Sequence, residues 1–179
     1  MNLTNPQVYL ANLNEDCLGQ VLVWKNDVQL ARQLVALETT ITIQDVHDWH
    51  KRTILDAQQV LFGVFQTGSN NLIGVARLMF IDTLHKTAEL GIYLGNTEMR
   101  GHGLGRETVK HLIDYAFNTL KLERLYLRVL ATNTVALRCY TACGFQWEGT
   151  WREHVVVDGK RCDMVLMGLL HRELVAEAN

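Results

Sequence analysis

The stretch Arg100-Gly101-His102-Gly103-Leu104-Gly105-Arg106 separates an apolar run that ends at Leu94 from an amphipathic segment that ends near Leu120. Its glycines occupy alternate positions, and glycine is favoured where the backbone passes close to a ligand or adopts a positive φ. The first N–H groups of a helix have no partner inside that helix, and they bind anions well. The stretch therefore predicts a loop between a strand and a helix that binds a phosphate or pyrophosphate.

The spacing of the glycines distinguishes three kinds of phosphate-binding loop. The dinucleotide fingerprint requires G-x-G-x-x-G, whereas here the third glycine, Gly105, comes one position early. The loop of nucleoside-triphosphate enzymes ends in Gly-Lys-Ser/Thr, whereas Arg106-Glu107 follows Gly105. The remaining pattern, Arg/Gln-x-x-Gly-x-Gly/Ala, is met by Arg100, Gly103 and Gly105. A glycine-rich turn without a ligand is the alternative that the loop alone leaves open.

Length and composition indicate one globular domain that spans residues 1–179. Hydrophobic residues make up 48% of the chain, which is enough for a core. No apolar run approaches the roughly 18 residues that a membrane span needs, and the N-terminus lacks the basic region and apolar core of a secretion signal. The net charge of −2 gives no electrostatic footprint for nucleic acid. We therefore expect no nucleic-acid partner, no membrane attachment and a cytoplasmic location.

Hydrophobic periodicity predicts strands in the middle of the chain. Two apolar runs, 60–65 and 72–80, flank a turn-rich segment and indicate a hairpin. Ala88–Leu94 is the next strand, and the segment from Val109 to Leu120 follows the i, i+3, i+4, i+7 pattern of a helix. Because this helix separates Ala88–Leu94 from the apolar run Leu125–Leu130, we expect those two strands to be parallel neighbours.

Cap and turn signals define the ends of further elements. Thr42-Ile43-Gln44-Asp45 resembles a helix start with a capping box, and a helix break is expected near Asn26-Asp27. Another helix begins at Asn133-Thr134 and ends at Gly144, a typical left-handed C-terminal residue. Asp158-Gly159 between two apolar runs predicts a two-residue hairpin turn.

The cysteines and histidines do not form a metal-ligand pattern. Cys139 and Cys143 lie four residues apart on a predicted helix, but the sequence contains no C-x-x-C and no matching His pair. Buried free thiols are therefore expected. His47 and His50 lie in a polar stretch, which we expect to be the solvated face of a helix. No metal site is expected.

The order of these elements resembles the C-terminal two-thirds of the GNAT N-acetyltransferases, from about Val60 to Leu170. The Arg100–Gly105 loop is similar to the family's acetyl-CoA pyrophosphate loop, and Asn133 to the asparagine that follows its fifth strand. Tyr140 is similar to the tyrosine that often serves as general acid, and Gly144-Phe145 to the pair that closes the same helix. The resemblance implies an α/β (α+β) fold with a mixed central sheet, splayed between strands 4 and 5 and flanked by helices.

The resemblance also implies the chemistry, which is direct transfer of an acetyl group from acetyl-CoA to a primary amine in a ternary complex. Tyr140 would protonate the leaving thiolate, and Glu89 or a water chain would take the proton of the amine. A structural carboxylate is the alternative for Glu89, and a helix cap is the alternative for Asn133. The residues that the resemblance assigns to acetyl-CoA binding are Ile92, Tyr93, Leu94, Arg100, Gly101, His102, Gly103, Leu104, Gly105, Arg106 and Asn133.

The identity of the acceptor amine stays open between a protein N-terminus, an amino sugar, a polyamine and another small amine. Ala88–Ile92 and the Asp158-Gly159 hairpin resemble the RimJ/RimL-like subgroup. Leu22–Asp27 resembles a segment of some amino-sugar nucleotide acetyltransferases, although lysine replaces an arginine there. The residues predicted on this basis to bind the acceptor are Trp24, Lys25 and Asn26.

Three further expectations concern the tryptophans, the assembly and the alternative function. The tryptophans, which could line the acceptor site, are expected to belong to the core instead; they are Trp24, Trp49, Trp147 and Trp151. The resemblance allows a homodimer. The alternative function is a GNAT-fold module that binds CoA or a protein partner without chemistry.

Overall fold

The computed structural model describes residues 6–35, 40–95, 99 and 101–176, with side chains described as far as Leu174. Before the glycine loop lie β1 (Val8–Asn12), α1 (Leu18–Lys25), α2 (Val28–Leu34), α3 (Ile43–Leu55), β2 (Val60–Gln66), β3 (Leu72–Asp82) and β4 (Thr87–Leu94). After it lie α4 (Leu104–Asp114), β5 (Arg124–Leu130), α5 (Thr134–Thr141), β6 (Gln146–Val157), β7 (Lys160–Leu170) and α6 (His171–Ala176). A 3-10 turn at Glu15–Cys17 precedes α1, and a π-helical turn at Tyr115–Thr119 extends α4.

The seven strands form one sheet in the order β1-β2-β3-β4-β5-β7-β6. Neighbouring strands are antiparallel except β4 and β5, which are parallel, as the helix between them predicts. These two strands pair only where Thr87–Glu89 lies opposite Arg124–Tyr126, and they then diverge. The splayed, mixed sheet that the resemblance implies is therefore confirmed, and the gap between β4 and β5 positions the site.

Helices cover both faces of the sheet. The larger core lies under α4 and α5, where Leu112 and Tyr140 pack with strand residues such as Ala88, Leu90 and Leu125. A smaller core lies on the other side, where residues of α1, α2 and α3, including Val21 and Val46, pack on Leu61 and Val75. Because side chains alternate between the two faces of a strand, Glu89 lies on the face opposite to Ala88 and Leu90.

Several local sequence signals are confirmed. Thr42 and Asp45 form the capping box of α3, and Asn133 caps α5. Gly144 adopts a φ of +94° after α5, in the left-handed region that favours glycine. Asp158 and Gly159 connect β6 to β7 with φ of +49° and +71°, as a two-residue hairpin turn requires.

Two expectations about burial are wrong. His50 does not face solvent: its side chain is buried, and its Nε2 lies 2.7 Å from the carbonyl oxygen of Leu13. Trp147 and Trp151 are not core residues, because they lie on the edge strand β6 and are 58% and 39% exposed.

None of the described helices is long and apolar enough to cross a membrane. Within the described ranges, no group of three His, Cys, Asp or Glu side chains is placed to hold a metal ion. The four cysteines are free thiols, but the expected burial holds only for Cys143, because Cys17, Cys139 and Cys162 are partly exposed.

Candidate active site

The gap in the sheet begins after Glu89. β3 pairs with one edge of β4, from Met79 opposite Glu89 to Gly74 opposite Leu94. Beyond Glu89, no strand of the described chain pairs with the other edge of β4. The segment Leu90–Leu94 therefore offers a site where an extended ligand can add to the sheet as another strand would.

The glycine loop follows β4 and leads into α4. Gly101 and Gly103 have φ of +82° and +81°, a region that residues with a side chain rarely adopt. Gly103 is the N-cap of α4 and supplies no capping side chain. The first N–H groups of α4 are thus placed to bind an anion, and the helix dipole favours negative charge there. Arg100 lies outside the described residues.

The remaining loop residues differ in burial. His102 and Arg106 are exposed, so their side chains can approach an anion from solvent. Leu104 is buried in the main core and can contribute only its backbone. A Cβ on Gly105 would lie 3.9 Å from Cys139 Sγ, so the start of α4 packs closely against α5.

α5 is capped by Asn133 and holds Tyr140 on its inner face. The Oδ1 atom of Asn133 accepts a hydrogen bond of 3.1 Å from a backbone N–H in the first turn. The Tyr140 side chain is 7% exposed, and its ring centroid lies 5.9 Å from that of Phe145. Burial, with a smaller effect of Cys139 and Cys143, raises the pKa of Tyr140 above its usual value near 10.0. The phenol therefore keeps its proton at neutral pH, as a general acid must.

Two thiols lie on either side of Tyr140 in the sequence and are hydrogen-bonded to each other. Their hydrogen bond lowers the pKa of Cys139 and raises the pKa of Cys143, whose burial acts in the same upward direction. Cys143 Sγ also lies 3.6 Å from the carbonyl oxygen of Arg106. These contacts join α5 to the first turn of α4.

Glu89 forms a forked ion pair with Arg128 of β5. The Glu89 residue is only 6% exposed, and its two carboxylate oxygens accept hydrogen bonds of 3.0 Å from Nε and Nη2 of Arg128. Because Arg128 lies beyond the point where the strands diverge, the pair spans the gap. The centroid of the Trp151 ring lies 5.9 Å from Cζ of the Arg128 guanidinium. The geometry favours the structural role of Glu89 over the role of a base, because both oxygens already accept hydrogen bonds.

Arg77 of β3 lies on the same face as Glu89. It pairs with Gly91 of β4, and a Cβ on Gly91 would lie 3.7 Å from both Cγ and Nε of Arg77. The missing side chain at Gly91 therefore leaves room for Arg77 to lie across β4. Burial lowers the pKa of Arg77, against the charge effects of Tyr93 and Glu89.

The end of α1 lies over the same face, but two of its three predicted acceptor-binding residues have structural roles. Trp24 is 5% exposed, and its ring fills the space where Gly95 would hold a Cβ. Asn26 accepts a hydrogen bond from the backbone N–H of Ile41 through Oδ1 and donates one to its carbonyl through Nδ2, both of 2.9 Å. Packing and backbone bonds thus already use the side chains of Trp24 and Asn26, and their binding of the acceptor stays a prediction.

Lys25 and Tyr93 complete this region. The Lys25 ammonium lies 4.2 Å from the centroid of the Trp49 ring, and burial, followed by the charge of Arg77, lowers its pKa. The Tyr93 ring meets Trp24 edge-on at 6.1 Å between centroids. Its hydroxyl is buried, has no hydrogen-bond partner among the described residues, and has a pKa raised by burial.

The β6–β7 hairpin approaches α2 beside the gap. Arg32 Nε of α2 lies 2.8 Å from Asp158 Oδ1 at the hairpin turn. β6 also departs from regular pairing between Trp151 and Val155, next to the Arg128 side chain that Trp151 contacts. The ion pair and the bulged strand border the face that holds Glu89.

Sequence reasoning missed Arg77 and Arg128, although a signal was present. Each is a charged residue inside an apolar run that was assigned to a strand. In a strand with helices on both faces, a charged side chain at such a position requires a partner or a ligand. The arrangement can therefore hold an extended ligand along β4 with its anionic end at α4. A second molecule can then approach from the face that holds Arg77.

Known proteins share this architecture. Residues 7–146 match the family described as an acetyltransferase (GNAT) domain. The spermidine N(1)-acetyltransferase of Vibrio cholerae serotype O1 is 30% identical over 129 residues, which cover 72% of this chain and 73% of that protein. The putative ribosomal N-acetyltransferase YdaF of Bacillus subtilis strain 168 is 30% identical over 132 residues, which cover 74% of this chain and 70% of that protein.

Solved structures of the Vibrio cholerae protein are also similar. The crystal structure of spermidine N-acetyltransferase in complex with CoA and spermine superposes with a TM-score of 0.88 at 26% identity, covering 94% of this chain and 98% of that one. A dodecameric structure in an intermediate state gives a TM-score of 0.82 at 25% identity, covering 97% and 99%.

Proposed function

The chain belongs to the GNAT family and is an acetyl-CoA-dependent N-acetyltransferase, and from this premise we propose how its own residues perform the transfer. The observation that supports the proposal most is the edge of β4 beyond Glu89, which has no strand partner in the described chain. The pantetheine arm pairs with this edge, and the thioester lies between β4 and β5.

The donor is held mainly by backbone groups. The N–H groups from Gly101 to Arg106 bind the pyrophosphate at the start of α4, assisted by the side chains of His102 and Arg106. The backbone of Tyr93 and Leu94 pairs with the pantetheine amides. An N–H near Ile92 or Tyr93 polarises the thioester carbonyl and stabilises the oxyanion that develops there. The cap residue Asn133 contacts the pantetheine beside α5.

The transfer requires an uncharged amine and a protonated leaving group. An alkyl amine has a pKa near 10, so it must first lose a proton at neutral pH. The amine nitrogen then forms a bond to the thioester carbon, and the bond from that carbon to sulfur breaks. Tyr140 donates its phenolic proton to the departing CoA thiolate, because burial keeps the phenol protonated.

The proton of the amine leaves through a water chain, and Glu89 holds Arg128 in place beside the gap. The forked bond between Glu89 and Arg128 supports this assignment. The competing prediction is that Glu89 itself is the base. Glu89→Gln distinguishes the two, because a base role predicts a loss of kcat at neutral pH that high pH restores. A positioning role predicts a loss at all pH values.

The finer assignments follow from relatives and remain proposals. The name of the Vibrio cholerae relative makes a polyamine the first acceptor to test, and the Bacillus subtilis relative makes a protein N-terminus the second. The RimJ/RimL-like subgroup and the cytoplasmic location stay predictions. The dodecameric neighbour supports self-assembly, and size-exclusion chromatography with light scattering tests whether a homodimer is its unit.

Two measurements test the proposed function and its alternative. Isothermal titration with acetyl-CoA is expected to give one site per chain, and thiol detection is expected to show release of CoA when a suitable amine is added. Binding without release of CoA across protein N-termini, polyamines and amino sugars would favour the module that binds CoA without chemistry. Absence of acetyl-CoA binding at high micromolar concentration would contradict both.

A further inference from the structure

The Arg77 guanidinium is a half-buried cation without an ion-pair partner among the described residues. The residue is half-buried on β3, and its side chain makes no hydrogen bond or ion pair within the described ranges. Its nearest carboxylate, Glu89, has both oxygens bonded to Arg128. Five N–H donors of a guanidinium in a partly desolvated position require acceptors, so the structure leaves Arg77 with unused binding capacity.

Two further polar groups without anionic partners lie beside Arg77. The Lys25 ammonium is near enough for electrostatic repulsion from Arg77, and its closest described contact is the Trp49 ring. The Tyr93 hydroxyl is fully buried and lacks a hydrogen-bond partner in the described chain. A phenol can donate to an anion, as an ammonium and a guanidinium do. The three side chains therefore form a set of donors with net positive charge and no anion among them.

This donor set lies where the acceptor must approach. Arg77 and Tyr93 lie on the face of β4 opposite to α4 and α5, which cover the side that holds Tyr140 and the proposed pyrophosphate loop. A Cβ on Gly91 would lie 3.2 Å from Met79 Cε and 3.7 Å from Arg77 Nε, so the side chains of Met79 and Arg77 lie over the strand that lines the gap. A molecule that presents its amine at the gap from this face meets Arg77.

We propose that the acceptor is an amine that also carries a carboxylate or phosphate group, which Arg77 binds together with Lys25 and the Tyr93 hydroxyl. This assignment rests on the proposed function and specifies its acceptor class. The planar guanidinium of arginine can bind a carboxylate or a phosphate through two hydrogen bonds. The lysine ammonium adds positive charge but no bidentate geometry. A polyamine, which is a polycation, would instead meet Arg77, Lys25 and the paired Arg128 as like charges.

The first test compares matched acceptors that differ in one anionic group. Release of CoA is measured with glucosamine 6-phosphate against glucosamine, with alanine against alaninamide, and with spermidine. The proposal expects kcat/KM for the anionic member of one pair to exceed that of its neutral partner by about tenfold or more. The phosphate pair and the carboxylate pair distinguish the two sources of the anion. Preference for spermidine, or for the neutral members, would overturn the proposal and leave the acetyltransferase activity intact.

The second test removes the charge of Arg77 and replaces it with a shorter, neutral polar side chain. In Arg77→Gln, the advantage of the anionic acceptor over its neutral partner should disappear, while the Kd of acetyl-CoA should stay the same. Arg52→Gln, on the exposed side of α3, is the control and should retain the advantage. Equal loss for both members of a pair would indicate a general structural effect and contradict the proposal.

A binding measurement covers the case in which none of these amines is a substrate. With CoA bound at the glycine loop, inorganic phosphate should raise the melting temperature of the wild-type protein and of Arg52→Gln, because a ligand of the folded state stabilises it. Arg77→Gln should show no such rise. An equal rise in Arg77→Gln would place the phosphate elsewhere and refute the assignment. Failure to bind acetyl-CoA, in contrast, refutes the proposed function itself.

Discussion

Burial decides which protonation state Tyr140 offers to the reaction. A solvated phenol has a pKa near 10.0, and the apolar surroundings of Tyr140 raise that pKa further. A raised pKa means that the protonated form persists up to and beyond pH 10, so the residue can donate a proton throughout the physiological range. The same shift makes Tyr140 unsuited to accept the proton of the amine.

Replacement of Tyr140 by phenylalanine tests this role. We expect Tyr140→Phe to lower kcat by about 100-fold or more, which is the lower range for loss of a general acid, and to leave the Kd of acetyl-CoA unchanged in calorimetry. Tyr9→Phe is the control, because that hydroxyl bonds Asn70 on the surface. Deprotonation of Tyr140 should not lower the kcat of the wild type at any pH up to about 10. An unchanged kcat would remove Tyr140 from the mechanism.

The Tyr93 hydroxyl leads to the prediction that a substitution raises the stability of the folded protein. A buried polar group without a partner destabilises the folded state by about 1 kcal/mol or more. Tyr93→Phe should therefore raise the free energy of unfolding in urea by about 1 kcal/mol when no acceptor is present. The same change should weaken binding of an anionic acceptor, which a purely structural tyrosine would not do. A loss of stability would show that the hydroxyl has a partner in solution.

At the scale of elements, two glycines with open space around them differ only in backbone conformation. Gly103, at the start of α4, has a φ of +81°, whereas Gly19 lies within α1, and a Cβ on either would meet no atom within 4 Å. Gly103→Ala should lower stability by about 1 kcal/mol and weaken acetyl-CoA binding, because alanine strains the left-handed turn. Gly19→Ala should raise stability by about 0.5–1 kcal/mol, since alanine favours helix. Urea unfolding and calorimetry with acetyl-CoA measure both, and equal shifts in the two variants would contradict this account.

The elements themselves follow closely from local sequence. The hairpin of β2 and β3, the parallel pairing of β4 with β5 and the cap at Asn133 all agree with expectation. Each depends on periodicity or on one residue's local hydrogen bonds. The predictions for His50 and Trp151 are wrong because burial depends on tertiary position: His50 packs against Leu13, whereas Trp151 lies on β6 at the edge of the described sheet.

At the scale of the whole molecule, one ion pair links the N-terminal helices to the last hairpin. Arg32 and Asp158 are 2.8 Å apart and partly exposed, so their contribution to stability is expected to be below about 1 kcal/mol. Arg32 and Asp158 should affect binding of the acceptor more than they affect stability, because they join the two segments that border the proposed acceptor site. Asp158→Asn keeps a residue that tolerates the left-handed turn and removes the charge.

We expect Asp158→Asn to raise the KM of the acceptor and to leave the Kd of acetyl-CoA and the melting temperature nearly unchanged. Steady-state kinetics and thermal unfolding measure these quantities. Asp163→Asn would be a poor control, because Asp163 accepts the backbone N–H of Glu153. Asp114→Asn, on the exposed side of α4, is suitable. A fall in acetyl-CoA affinity in Asp158→Asn would show that the ion pair affects the donor side instead.

The sequence by itself determined the donor half of this protein. Gly103 and Asn133 act through the backbone conformation and hydrogen bonds of their own neighbours in the chain, so their spacing is sufficient to predict the glycine turn that opens α4 and the cap of α5, and phosphate binding at that turn stays a proposal. Only the tertiary structure provided the contacts on which the proposed acceptor site depends. It brings Lys25, Arg77 and Tyr93 together from α1, β3 and β4, and it pairs Glu89 with Arg128 across the gap. Such contacts join residues that are far apart in sequence. No local sequence pattern therefore specifies that Glu89 pairs with Arg128 and not with Arg77.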